Sequence, residues 1–378
     1  MPSGGEAGGE LCKVRRMSGS ADPPPSSENE GGDVRPPGGE IRTPWVDAPS
    51  VRLDGDLPPV ERFRQLPKDS VDRCRELIAD LRTHLPTGAG GLALAVNART
   101  KGRWRAEAEA LADLLETSWA EVLVSNCTYD LALSGFACST AALATPNGPA
   151  LARNMDWLPA GPLARASLLV ETRYEEGPGG GPLTVWNAGW PGGIGVVTGQ
   201  SSRGFAFALN AVGVAGAPDL LGCPVLLCLR RVLTVARDFA DAVVRIRRER
   251  LVCGAIVTVV GTTNAERVVV ERTPRRSGVI WGEGDEPLVA TNHLRVLDAE
   301  SDAGDVGDGV IGDSHGRLAA LFDKAPRGEV SDGGCLYALT EPDVMQSCTA
   351  QHIVCRPTEG TVRLTVPRAL LTPGVGGW

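Results

Sequence analysis

Apolar side chains in the first third of the chain recur at three- and four-residue intervals. Phe63, Leu66, Val71, Cys74, Leu77, Ile78, Leu81 and Leu85 fall on one face of a helical stretch that Pro58 and Pro59 start and Pro67 interrupts. Gly88–Gly91 breaks the pattern, and Trp104, Ala108, Leu111, Leu115, Trp119 and Val122 then make a second face over 104–124, which predicts a helical hairpin. A short alternating strand, Val51–Asp54, precedes both. Further on the period changes to two. Strands are predicted at Leu168–Thr172, Leu183–Asn187, Ile194–Thr198, Gly204–Asn210, Ala255–Gly261, Arg267–Arg272, Gly278–Gly282 and Pro287–Thr291, with a closing hairpin of Ser347–Cys355 and Thr361–Val366. Pro224–Arg250 reads as helical throughout, with Leu227, Val232, Leu233, Ala236, Phe239, Val243 and Val244 inward and Arg230, Arg231, Arg237, Arg247, Arg248 and Arg250 outward. Ser314–Lys324 is a further helix behind an acidic Gly/Asp loop, and 158–163 and 211–221 are read as loops. Strands and helices occur in blocks rather than in a βαβ repeat, which points to an α+β fold of stacked antiparallel sheets between helix layers.

One hairpin carries candidate chemistry. Cys138 opens it, Ser139–Ala144 forms a strand of small and apolar residues, Thr145-Pro146-Asn147-Gly148 is a turn signal, and Pro149–Trp157 returns as the partner strand. The return brings Arg153 and Asp156 back toward Cys138. A guanidinium stabilises a thiolate and a carboxylate accepts a neighbouring ammonium, the pair that amide cleavage by an N-terminal cysteine requires.

Composition narrows the choice. The 378 residues are 42% hydrophobic, 22% charged and only 4% aromatic, so a large and mostly aliphatic core is expected. A net charge of -8 argues against nucleic acid as a partner, and Asp238, Asp241 and Glu249 interleave the arginines of 224–250 into a solvated helix face. The ten cysteines lack CxxC pairs and the four histidines lack any HExxH or Cys/His cluster, so neither a disulfide scaffold nor a transition-metal site is expected, and no cofactor is implied. No apolar leader segment and no run of about 18 apolar residues appears, so a cytoplasmic enzyme without a membrane span is expected. Residues 1–42, rich in Gly, Pro, Ser and Glu, are expected to be disordered.

The motifs also carry a resemblance. Val51-Arg52-Leu53-Asp54, Leu57–Phe63, Tyr129-Asp130, Cys138-Ser139-Thr140, Gly148–Trp157, Trp190-Pro191-Gly192, Leu209-Asn210, Ala290–His293 and Asp313–Arg317 follow one another in an order similar to that of the acid ceramidase and N-acylethanolamine-hydrolysing acid amidase family. That family stands within the N-terminal nucleophile hydrolases, with the choloylglycine hydrolases and penicillin acyltransferase relatives. The chain departs from the family pattern in Ser139 and Thr140, where the hydroxyls are exchanged, and in Tyr129-Asp130, where the family has Tyr-Glu.

The resemblance implies an αββα sandwich and self-cleavage at Ala137–Cys138. The parts would be a disordered segment 1–42, a helical β-subunit-like segment 43–137 and a catalytic α-subunit-like domain 138–378, the two fragments staying associated. It implies hydrolysis of N-acyl substrates, such as N-acylethanolamine- or ceramide-like lipid amides, through an acyl-enzyme thioester. A free α-amine at Cys138, with a reference pKa of about 8, would serve as the nucleophile's own base. By matching positions Asp156 would hold that amine and Arg153 the sulfur or the scissile carbonyl. Asn292 first and Asn210 second would be oxyanion donors, and Arg317 would order the surroundings of Cys138 or assist self-cleavage. The plain readings are a buried thiol at Cys138, a strand-end ion pair between Arg153 and Asp156, a turn residue at Asn210 and a structural Arg317. The alternative activities are acyl transfer to an amine and an unprocessed binding protein of the same fold.

Overall fold

The computed structural model describes residues 45–82, 89–131, 136–214, 216, 218–297, 313–328 and 330–375. The segment expected to be disordered and the acidic loop before Ser314 lie outside these residues.

The chain begins with two short strands, β1 (Trp45–Asp47) and β2 (Ser50–Asp54). Pro59 opens α1 (Pro59–Phe63), and Pro67 separates it from α2 (Lys68–Arg82), which buries Val71, Cys74, Leu77, Ile78 and Leu81. Where Gly88–Gly91 was expected to interrupt, α3 (Ala89–Arg99) already runs, because a glycine costs only about 1 kcal/mol and the Leu92–Ala98 run that follows favours helix. The face expected over 104–124 is two helices, α4 (Arg105–Leu115) and α5 (Trp119–Ser125). Glu116 turns left-handed at φ 54° and ends α4, and Ser118 and Glu121 form a capping box that starts α5. A short α6 (Thr128–Leu131) follows.

The hairpin forms as expected from β3 (Phe136–Leu143) and β4 (Ala150–Trp157), except that β3 already begins ahead of Cys138. Residues 158–163 are not a loop: α7 (Ala160–Ala166) buries Ala160, Leu163 and Ala164 and packs on α2. β5 (Leu168–Tyr174) and β6 (Leu183–Gly189) match their expectations. β7 (Thr198–Ser201) starts only where the strand expected at Ile194–Thr198 was to end. The backbone before it bonds elsewhere: Gly195 N–H donates to the Asn126 side chain and Val196 N–H to Leu226 O. β8 (Phe205–Asn210) ends on an asparagine.

Pro224–Arg250 is again two helices, α8 (Val225–Val235) and α9 (Phe239–Arg248), because Asp238 caps the second by accepting the Asp241 N–H at 2.7 Å. Arg230, expected outward, is buried 4.0 Å from Glu107, which Arg62 also holds at 3.2 Å; Val244, expected inward, is exposed. β9 (Ala255–Val260), β10 (Arg267–Arg272), β11 (Ser277–Trp281), β12 (Leu288–Ala290) and α10 (Ser314–Lys324) agree with the periodicity. The helix α11 (Asp332–Thr340) does not, since its Gly-Gly start hides it; β13 (Thr349–Arg356) and β14 (Thr361–Pro367) close the chain.

The strands make two sheets, ordered β1-β14-β13-β4-β3-β12 and β11-β10-β9-β8-β7-β6-β5-β2. Every pairing is antiparallel except β2 with β5. The sheets face each other through β3, β4, β8 and β9, over a layer of small and β-branched side chains that includes Ala142, Ala206, Ala208 and Ile353. Helices α10 and α11 cover the six-stranded sheet and α8 and α9 the eight-stranded one, giving the α+β sandwich. The segment ahead of Cys138, expected to be helical, also gives an edge strand to each sheet through β1 and β2. No helix among the described residues is long and apolar enough to cross a membrane.

His352 on β13 sits beneath Trp45, with ring centroids 3.7 Å apart and neither ring nitrogen hydrogen-bonded among the described residues. Burial pushes its pKa down to about 3. The unfolded chain therefore takes up the proton first, so this residue's contribution is intact above about pH 6.5 and falls as pH drops from there toward 3. Burial raises Asp130 to about 7 and Asp156 to about 6, which acts in the opposite direction over the same range, so the effect must be read as a difference. Between pH 7 and 5, His352→Leu is expected to gain about 2 kcal/mol relative to the parent. Urea midpoints of both proteins at the two pH values measure this, and a constant gap contradicts it.

Candidate active site

In the β3–β4 register Cys138 stands opposite Met155 and Thr140 opposite Arg153, so the Arg153 side chain leaves β4 on the face that carries the thiol. Arg153 is 1% exposed, and its Nη2 donates to Cys138 Sγ at 2.9 Å and to Leu209 O at 2.8 Å, while Nη1 donates to Thr198 Oγ1 at 2.6 Å. A buried guanidinium held at three points is a fixed positive charge beside the sulfur.

Asp156 lies three residues on and therefore on the other face of β4, opposite Ala137. Its partner is Thr349 and the Arg153 guanidinium goes to Cys138, Leu209 and Thr198, so the strand-end salt bridge that the spacing left open does not form. Its Oδ1 accepts the Thr349 hydroxyl at 2.6 Å and its Oδ2 has no partner among the described residues. Burial raises its pKa to about 6, opposed by the Thr349 hydrogen bond and by the charges of Arg317 and Arg153. The carboxylate thus sits beside the last residue before Cys138 with one oxygen uncommitted.

The backbone of Cys138 is gripped from three elements. Its N–H donates to Asn292 Oδ1 at 3.0 Å, and its carbonyl accepts from Arg317 Nη1 at 3.0 Å and from Asn210 Nδ2 at 3.3 Å. Arg317 projects from α10, whose N-cap Asp313 accepts the Gly316 N–H; it also donates to Ser139 Oγ at 3.0 Å and to Asn292 Oδ1 at 2.8 Å. Asn292 follows β12 and donates its Nδ2 to Ala211 O at 2.7 Å. Asn210 ends β8, accepts the Thr140 hydroxyl at 2.6 Å and donates to Ala290 O and Thr291 O as well. All six residues singled out in the sequence, Cys138, Arg153, Asp156, Asn210, Asn292 and Arg317, are therefore brought to one place. Asn210 spends its amide on backbone carbonyls, binding the end of β12 to β3.

Three participants were silent in the sequence, Thr198, Thr349 and Glu271, and two more, Ser314 and Tyr129, stood in the quoted motifs without an assigned role. Thr198 and Thr349 read as ordinary strand formers, yet one orients Arg153 and the other Asp156. Glu271 on β10 accepts the N–H groups of Arg295, Val296 and Leu297 and so fixes the segment behind Asn292. Ser314 accepts the Asn292 N–H at 2.8 Å. Tyr129 donates to Gly254 O at 3.0 Å and lines, with Met155, Trp157, Val197, Leu209 and Ala211, an apolar cavity of about 10 Å³ beside Cys138 and Arg153. That volume admits one water at most.

Residues 143–330 match the family described as acyl-coenzyme A:6-aminopenicillanic acid acyl-transferase. The match takes in Arg153, Asp156, Asn210, Asn292 and Arg317 and begins just after the nucleophile candidate. Comparison with curated protein sequences gave no match. Among solved structures, an N-acylethanolamine-hydrolyzing acid amidase ortholog from Caenorhabditis elegans is 19% identical over 58% of this chain and 93% of its own, with a TM-score of 0.46. Penicillin V acylase from Agrobacterium tumefaciens is 13% identical over 60% and 82%, at 0.37. A mutant of the conjugated bile acid hydrolase from Clostridium perfringens is 10% identical over 61% and 89%, at 0.40.

Proposed function

We propose that the chain is an N-terminal nucleophile hydrolase, which cuts its own Ala137–Cys138 bond and then hydrolyses N-acyl amides with Cys138 as nucleophile, a reading that the match of residues 143–330 to the acyl-transferase family supports. The observation that carries this reading is the Arg153 guanidinium 2.9 Å from Cys138 Sγ, on a residue whose own N–H is held by Asn292.

Self-cleavage begins with attack of the thiol sulfur on the Ala137 carbonyl carbon. The acyl group moves from nitrogen to sulfur, the nitrogen takes the thiol proton, and water hydrolyses the thioester to leave the Ala137 carboxylate and a free Cys138 amine. That amine, near a pKa of about 8, removes the thiol proton without a histidine. The ammonium so formed meets the uncommitted Oδ2 of Asp156. Attack on the substrate amide creates an oxyanion; the side-chain amide of Asn292, which must then leave Ala211 O, is the first choice of donor for it and Asn210 the second, and one such donor is worth about 3 kcal/mol. The ammonium then protonates the leaving amine, and water releases the acyl group from sulfur. N-acylethanolamine- or ceramide-like lipid amides are the proposed substrates, on the strength of the motif resemblance.

The N-terminal fragment stays attached after the cut. β1 and β2 remain paired in the sheets, Asn126 bonds Gly192 O and Gly195 N–H, and Asp130 accepts the Val225 N–H. Acyl transfer is the second reading, favoured by the description of the matched family. Brief reaction of the processed protein with an N-acylethanolamine and with a ceramide, quenched in acid and weighed intact, tests the proposal. The fragment beginning at Cys138 is expected to gain one acyl group, removable by hydroxylamine. Turnover without any adduct on that fragment overturns the covalent route. Added amines that capture the acyl group in place of water identify the transferase.

A further inference from the structure

A second cleft, of about 260 Å³, opens between the turn that follows α3 and the start of α8. Its floor is apolar: Trp104 and Leu227 are buried there, and Leu221 and Cys223 form one wall. Its rim is cationic, with Arg99, Lys101, Arg103, Arg231 and Arg250 against the single carboxylate of Glu249, in a chain whose net charge is -8.

Two of these cations are already neutralised. Arg231 is paired with Glu249, and Arg250 is held by Asp219 at 2.7 and 2.8 Å. Arg99, Lys101 and Arg103 are different, because none has an ion pair or a side-chain hydrogen bond among the described residues. The chain concentrates them by turning sharply. Lys101 at φ 55° and Gly102 at φ 70° are both left-handed, and Gly102 N–H bonds Asn97 O at 2.8 Å. A lysine in that conformation costs on the order of 1 kcal/mol that a glycine would not. Beside the cations Leu220 is 81% and Leu221 56% exposed, so two adjacent leucines are left in water next to unpaired positive charge.

This combination selects its ligand chemistry. Nucleic acid needs an extended basic track, which this short rim does not offer, and about 260 Å³ holds a head group and the start of a chain rather than a whole long ligand. A bare anion leaves the apolar floor unused, and a neutral lipid leaves three cations unused. Burial pushes the Cys223 thiol in the wall up to about 12, so it adds no negative charge to the cleft near neutral pH. Asp130, on α6, is close enough to act on that thiol, and its neighbour Tyr129 lines the Cys138 cavity. The cleft is thus separate from the nucleophile, with α6 between them.

We infer that this cleft binds an anionic amphiphile, with the carboxylate or phosphate head on Arg99, Lys101 and Arg103 and the start of the alkyl chain on Trp104, Leu221 and Leu227. The inference does not depend on the chemistry assigned to Cys138. Calorimetric titration of the full chain with dodecyl phosphate, dodecanoate, dodecyl maltoside and inorganic phosphate, each below any micelle concentration, tests it. The two anionic amphiphiles are expected to bind saturably at one site. Their affinity is expected to fall by at least about tenfold in the Arg99→Glu, Lys101→Glu, Arg103→Glu triple variant, and likewise on raising salt with the parent protein. Maltoside and inorganic phosphate are each expected to bind at least about tenfold more weakly. Equal affinity for dodecyl maltoside reduces the cleft to an apolar crevice, and equal affinity for inorganic phosphate to a simple anion site; either result overturns the inference. So does binding that ignores salt, a readout that stands even where the triple variant fails to fold.

Discussion

Cys138→Ala is expected to accumulate as one uncut chain with no amide hydrolysis. The proposed route makes the Cys138 thiol the nucleophile of both reactions. Thr140, two residues along the same face, is committed through its hydroxyl to Asn210 at 2.6 Å. The side chain is 3% exposed, and replacing sulfur by hydrogen costs the fold about 1 kcal/mol, so lost chemistry is separable from lost structure. Intact mass, amide turnover and a urea midpoint together measure this. A variant that is still cut at Ala137–Cys138, or still turns over, places the nucleophile elsewhere.

Arg153→Met is expected to lower turnover by about 10²–10³-fold, the usual loss for one charged or polar donor at a reacting centre. The same change slows alkylation of the Cys138 thiol by iodoacetamide at neutral pH, because the nearest positive charge has gone. It also leaves Leu209 O and Thr198 Oγ1 without their donor, a stability cost of about 1–3 kcal/mol. Thr198→Val separates the two effects. It removes one tether of the guanidinium and keeps its charge, so alkylation should remain fast while turnover falls modestly. Alkylation unchanged in Arg153→Met would show that the guanidinium does not govern the sulfur.

The hairpin was legible in the sequence because two local signals agree there: a strand of small and apolar residues from Ser139, and a Pro-Asn-Gly turn after it. Helix α10 was legible for the same kind of reason. The errors have physical causes. Hydrophobic periodicity does not register a single left-handed residue, so α4 and α5 read as one helix although Ser118 and Glu121 spell out a capping box. Asp238 hid the break between α8 and α9 in the same way. Arg230 read as a surface cation because its partner Glu107 lies on α4, far away in sequence.

The site was legible as a set of residue types but not as a geometry. Asn210 and Asn292 converge on Cys138 only because the C-terminal ends of β8 and β12, on facing sheets, come together there, and nothing local encodes that. The separation of Arg153 and Asp156 onto opposite faces of β4 does follow from strand parity. It sharpens their roles, one facing the sulfur and the other the residue before Cys138. Thr198, Thr349 and Glu271 stayed invisible because a threonine or glutamate inside a strand looks alike whether it faces solvent or a buried partner.

The central claim is that one peptide bond is cut and that the residue after it performs the chemistry. Intact mass and N-terminal sequencing of the purified wild-type protein, with amide turnover assayed on the same sample, test it most directly. The expected result is an active protein in two associated pieces, one ending at Ala137 and the other beginning Cys138-Ser139-Thr140. Amide hydrolysis by a chain that remains uncut, or by one cut at another bond, would contradict it.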